Sequence, residues 1–84
     1  MKVADLQAEL ERLMIPGFAY NIGRDENETF CLVPEPDGWH VFYSERGNRK
    51  LETVFVSESA ACEELLRMVT NDGAVRRWMA EHGN

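Results

Sequence analysis

The sequence predicts an α+β domain spanning residues 1–84: an N-terminal helix, an antiparallel three- to four-stranded β-meander and one or two C-terminal helices, packed as a two-layer sandwich. Three observations lead there. Apolar residues recur at helical spacing near both ends of the chain. The middle holds successive β-rich runs separated only by turn residues. At 84 residues there is material for one modest core and not for two, since a domain this small buries only about 60% of its unfolded surface.

Val3, Leu6, Leu10, Leu13 and Met14 form one apolar stripe, with Gln7, Glu9, Glu11 and Arg12 mostly off it, and Pro16-Gly17 ends the helix, placing it at about residues 3–14. Phe18 to Ile22 reads as a brief strand, and Gly23 to Asn27 as a charged turn. Thr29–Val33, Trp39–Ser44 and Leu51–Val56 read as the three clear strands, joined by Pro34–Gly38 and by a loop over Glu45–Lys50. Ser57 is a helix N-cap with Glu58 in the first turn. A helix follows over about 58–69, with Ala61, Cys62, Leu65, Leu66, Met68 and Val69 on its apolar side. Asn71-Asp72-Gly73 breaks it, and Ala74–Glu81 forms a last short helix with Val75, Trp78 and Met79 inward.

Alternation along the strands places Val41, Tyr43 and Phe55 under the helices. Neither alternating set is wholly polar, so the uncovered sheet face carries apolar groups and is a candidate interaction patch. Connections at the same end of a meander are neighbours, which sets the acidic loop 23–28 beside the basic loop 45–50. The two loops either pair with each other, or form a polar rim for a partner.

Nine Lys and Arg stand against fifteen Asp and Glu, a net charge of −6, and residues 1–42 carry −5 of it. Affinity for nucleic acid comes from cations that neutralise phosphates, so this balance speaks against nucleic acid and equally against an anionic membrane surface. It suits a basic protein partner. Phe30–Val33 is the longest apolar run, far short of a membrane span, and Met1–Leu13 has no apolar signal core. Two cysteines, Cys31 and Cys62, do not make a disulfide framework; two buried free thiols in the cytoplasm is the expected state, and a single disulfide between them is the alternative.

A search for chemistry yields no catalytic residue, no metal site and no cofactor site. His40 and His82 lack a Cys or His partner at metal-ligand spacing. Cys31 or Cys62 with His40 would imitate a nucleophile–base pair only if a pocket held them, and the length leaves little room for one. Asp25, Glu26 and Glu28 lack the calcium-loop pattern and read as a solvated turn. Arg76-Arg77 beside Trp78 reads as surface charge.

The run Gly38-Trp39-His40-Val41-Phe42-Tyr43-Ser44-Glu45-Arg46-Gly47 is the most distinctive in the chain. Thr53-Val54-Phe55 and the helix opening at Ser57–Cys62 follow it, and Leu10–Pro16, Tyr20 and Phe30-Cys31-Leu32 precede it. Over about residues 6–72 this pattern resembles small bacterial immunity proteins found near polymorphic and contact-dependent toxin genes. The resemblance implies a non-enzymatic cytoplasmic inhibitor that binds one toxin domain. Asp25, Glu26 and Glu28 would then steer a basic toxin, and Phe42, Tyr43, Glu45 and Arg46 would be candidate anchors. The same residues also have a plain structural reading: Arg46-Gly47 suits a hairpin turn and Tyr43 suits a core. The alternative to a toxin partner is a small interaction module that self-associates as a homodimer, through an edge strand or the open sheet face.

Overall fold

The computed structural model describes residues 1–82, in the order α1 (Val3–Arg12), a short 3-10 turn (Gly17–Ala19), β1 (Tyr20–Ile22), β2 (Thr29–Glu35), β3 (Gly38–Glu45), β4 (Asn48–Phe55), α2 (Glu58–Asn71) and α3 (Gly73–His82). The α+β class and the helix–sheet–helix order match the sequence reading. The strands form one sheet in the order β1-β2-β3-β4. The shortest principal extent is 16 Å. Layers pack about 10 Å apart, so that thickness holds one sheet and one helical layer.

The meander expectation needs one correction: β1 pairs parallel to β2, with Tyr20 beside Phe30 and Ile22 beside Leu32, so the sheet is mixed. Parallel neighbours ordinarily need a crossover of about a dozen residues or more, which is why a short connection reads as antiparallel. Here β1 is only three residues long, about 10 Å of chain. The six residues from Gly23 to Glu28 can retrace it directly. Gly23 N–H donates to Leu32 O at one end (2.8 Å), and Glu28 N–H donates to Ser44 O at the other (2.7 Å). The expected proximity of loop 23–28 to the β3–β4 turn therefore holds, through this return path: Arg46 N–H donates to Asn27 Oδ1 at 2.8 Å.

The strands also run further than their β-rich cores. β2 continues through Pro34 to Glu35, opposite Gly38. Proline is tolerated there because β1 pairs no further than Leu32, which leaves the outer side of β2 unpaired at that point. Gly38 has φ +144°, and a Cβ on it would lie 2.7 Å from Phe55 O, so only glycine lets β3 and β4 close up. The β3–β4 connection is two residues, Arg46 (φ 52°) and Gly47 (φ 81°), both left-handed as in a type I′ turn. Arg46-Gly47 therefore shapes the hairpin.

One irregularity matters for the surface. Val41 faces Thr53 but Tyr43 faces Lys50, so Leu51 and Glu52 together oppose Phe42. Leu51 is the extra residue, at φ 59° and 76% exposed. This bulge resets the alternation of β4, so Arg49 and Glu52 point to the same side of the sheet.

The core lies between the sheet and the helices. Leu6 and Leu10 of α1, and Ala61, Cys62, Leu65 and Val69 of α2, meet Phe30, Leu32 and Val41. Val41 is fully buried, and Tyr43 and Phe55 pack at the margin of this layer, as the alternation predicts. Cys31 lies between Phe30 and Leu32 on β2 and so projects to the other face; Cys31 and Cys62 are both buried and free, with the sheet between them.

Helix ends are closed locally. Ser57 Oγ accepts from Ala60 N–H at 3.2 Å, and Glu58 Oε2 accepts from Val3 N–H at 2.8 Å, so one first-turn acid serves both α1 and α2. Asp72 Oδ2 accepts from Val75 N–H at 3.0 Å and starts α3 where α2 stops. α1 ends in a Schellman motif: Met14 N–H donates to Glu11 O and Ile15 N–H to Leu10 O, each at 3.0 Å. The left-handed position is Met14, at φ 61° and 60% exposed. No helix among the described residues is long and apolar enough to cross a membrane.

Met14 occupies the position at which glycine costs least. Met14→Gly is expected to raise the unfolding free energy by about 0.5–1 kcal/mol, the left-handed cost less the extra chain entropy of glycine. A higher urea midpoint at unchanged slope is the expected result. A lower midpoint would mean that the Met14 side chain contributes more than its backbone costs.

Candidate functional site

The sheet face away from the helices is where polar groups converge. β3 sends His40, Phe42 and Ser44 to it, β2 sends Thr29, Cys31, Val33 and Glu35, and β4 sends Arg49, Glu52 and Val54. Loop 23–28 crosses part of this face: Thr29 Oγ1 donates to Glu26 O at 2.8 Å, and Ser44 Oγ donates to Asp25 Oδ1 at 2.6 Å. Phe42 and Cys31 are thus fully buried on a side that no helix covers.

Arg49 is the hub. Its guanidinium carbon sits 4.2 Å from the centre of the Phe42 ring. Its donors fork onto Glu35 (2.8 and 3.3 Å) and reach Glu52 (2.9 Å) and Asp25 (3.3 Å). The three carboxylates come from β2, β4 and loop 23–28, so one side chain ties three segments together. Glu35 and Glu52, and then Asp25, hold the guanidinium in its charged form, pushing its pKa further up. Glu35 is in turn drawn below the usual carboxylate range by the Arg49 hydrogen bonds.

His40 lies alongside, 7% exposed. Nδ1 is 2.7 Å from Glu52 Oε2, and Nε2 is 2.6 Å from Asp37 Oδ1 and 3.2 Å from Glu35 Oε1. Both ring nitrogens face carboxylates, so the doubly protonated imidazolium is the form that satisfies all of them. Asp37 first, and Glu52 next, raise the imidazole pKa against the opposing effect of burial. The same contacts lower Asp37 and Glu52. Four carboxylates (Asp25, Glu35, Asp37, Glu52) thus surround two cations (Arg49, His40).

Chemically this is an ion-pair network with two more carboxylates than cations. Glu35, Asp37 and His40 bring ligand-type atoms within 4.8 Å of one another. The His40 Nε2–Asp37 contact and the Arg49 fork on Glu35 already engage these atoms, and a metal would have to displace both. Ser44 Oγ is directed at Asp25 and both His40 nitrogens are engaged, so these groups cross-link β3 to loop 23–28, to β4 and to the β2–β3 turn.

The residues singled out from sequence divide into separate places. Asp25 joins the Arg49 network, and Glu26, paired with Arg24 at 3.5 Å, stays at the surface of the same loop. Glu28 is exposed at the end of that loop but lies on the helix side, beside a groove it shares with Phe30 and Tyr43. Glu45 pairs with Lys50 at 2.9 Å beside the turn that holds the exposed Arg46. Phe42 is fully buried beneath Arg49, and Tyr43, on the opposite face, packs against Phe30 with ring centres 4.9 Å apart. Alternation alone puts these two aromatics on different sides. Sequence reasoning passed over Glu35, Asp37, His40, Arg49 and Glu52 as a group. The spacing of Glu35, Asp37 and His40 across a two-residue hairpin turn was a usable signal, whereas Arg49 and Glu52 share a face only because of the bulge at Leu51.

No family model matches this sequence, and neither a curated protein nor a solved structure shows a match.

Two outcomes follow from the network. His40 has its folded pKa raised above the ordinary 6.5, so its stabilisation is complete below that value and is lost as pH rises through the folded pKa. Urea midpoints measured across that alkaline step should fall, and in a His40→Gln protein they should stay flat over the same interval. Removing Arg49 leaves Asp25, Glu35 and Glu52 facing one another and uncovers Phe42. Arg49→Ala should cost about 2–4 kcal/mol. Arg49→Lys keeps the charge but not the fork, and should recover only part of that loss.

Proposed function

We propose that this chain is a non-enzymatic protein-binding domain that neutralises a bacterial toxin domain in the manner of an immunity protein, acting in the cytoplasm. The observation that carries the reading is the excess of fixed carboxylates on the uncovered side of the sheet. Asp25, Glu35, Asp37 and Glu52 outnumber Arg49 and His40, and Glu26 extends the negative charge along the neighbouring loop. A network locked in place before binding loses little side-chain freedom when a basic partner arrives, and its field speeds the encounter. The exposed Asp37, with Asp25 and Glu26, is the natural contact set. Phe42 supports this surface from below.

A second reading has its own observation. β4 is an eight-residue edge strand, and Leu51, Val54 (45% exposed) and, just beyond it, Val56 (96% exposed) bring aliphatic surface to that edge. Pairing of β4 with a second copy would cover it. The bulge at Leu51 and the charges of Arg49, Lys50 and Glu52 oppose such pairing, which places this reading second.

The test is a search of the neighbouring genes for a large secreted protein with a C-terminal toxin domain, followed by co-expression with that domain; finding none counts against the toxin reading. Expected are rescue of growth and a one-to-one complex that weakens with salt. The doubly neutralised Glu26→Gln/Asp37→Asn protein should associate roughly tenfold more slowly at low salt. Failure to rescue, together with a dimer in sedimentation that Val54→Lys dissociates, would overturn the toxin reading in favour of self-association.

A further inference from the structure

An apolar groove of about 640 Å³ lies away from the sheet, between the end of α1 and α3. Leu13, Met14 and Ile15 form one wall, Val75, Met79 and Ala80 the other, and Arg12 and Arg76 stand at the rim. Val75, Arg76, Met79 and Ala80 make a single stripe of α3, so the helix presents a continuous side to the groove. Its volume falls within the range of small-molecule sites, about 300–1,000 Å³.

Two further observations bear on what it takes. The rim is cationic on a protein of net charge −6. Arg12 is tied to Glu9 at 2.6 and 2.9 Å, whereas the Arg76 side chain has neither an ion pair nor a hydrogen bond among the described residues. Then there is Met14, which holds a left-handed backbone that glycine would adopt more readily and projects a flexible, polarisable side chain at the groove.

We propose that this groove binds a single-chain anionic amphiphile, an aliphatic carboxylate whose chain lies along Leu13, Met14, Val75 and Met79 with its head group at Arg76. The α3 helix, ten residues and so about 15 Å long, gives an extended chain a matching track. The site is separate from the carboxylate network and does not depend on a protein partner.

The chain supplies its own reporters. It has four methionines: Met14 and Met79 line the groove, Met68 is buried in the core and Met1 lies at the N-terminus. Full-length protein labelled at the methionine methyls is titrated with decanoate, and with decyltrimethylammonium as the cationic control. Expected is a saturable shift of the Met14 and Met79 signals with a dissociation constant of about 0.1–1 mM, while Met1 and Met68 stay still and the cation has no such effect. Arg76→Gln should weaken binding roughly threefold to fivefold. Met14→Gly should weaken it by a similar factor without loss of stability, which separates contact with the ligand from a structural role. The proposal is overturned if decanoate gives no saturable shift, or if all four signals move together. It is equally overturned if the cation binds as well, or if both variants bind as tightly as the parent protein.

Discussion

The Arg49 guanidinium over the Phe42 ring is the contact on which the exposed side of this domain depends. A sheet with helices on one face alone must do something with the apolar residues that alternation sends to the other. Here Phe42 and Cys31 are fully buried without a second helical layer. Arginine suits the position because its planar, weakly hydrated head can lie on an aromatic face while its edge donors bind carboxylates. Loop 23–28 completes the cover through Asp25, which accepts from both Arg49 and Ser44. The acidity of this surface is therefore partly architectural: carboxylates from three segments hold the arginine that shields the ring.

The backbone explains why those carboxylates meet. Arg49 and Glu52 are three residues apart on one strand and would ordinarily face opposite sides. The extra residue Leu51 brings them together, placing Glu52 beside His40 and Arg49 over Phe42. Left-handed Leu51 and Arg46, at φ 59° and 52°, are residues that pay for this geometry with strain. A turn and a bulge within six residues of each other thus set both the register of β4 and the chemistry of the surface.

This also shows how far the sequence could be read. The α1 stripe, the Ser57 cap, the break at Asn71–Gly73 and the three long strands rest on local periodicity and capping, and each was legible. The parallel β1 was not, because its short return path breaks the usual relation between loop length and strand direction. Pro34 concealed the end of β2, since its tolerance depends on β1 having already ended. The Arg49–His40 network was hidden for a related reason: its members are scattered from Asp25 to Glu52, and one bulge decides which face they share. Phe42 and Tyr43 looked equivalent in the motif, yet the pleat makes one the floor of the polar face and the other part of the helix-side core.

The least anchored element is α3, and its attachment differs in kind from the rest. Val75 is its buried residue, Asp72 caps it, and Trp78 lies against Phe18 and His82, with ring centres at 5.8 and 4.4 Å. The helix is held along one line, with apolar grooves on both sides of Val75. Val75 is the one buried residue through which α3 joins the cluster of Leu6, Leu10, Leu65 and Val69, so most of that core is contributed by the other elements. The polar face has the opposite character, being cross-linked by charge across β2, β3, β4 and loop 23–28. The molecule therefore combines an acidic side cross-linked by ion pairs with an apolar, arginine-lined groove beside a lightly attached helix, so charge holds one side of the fold and a single buried valine the other.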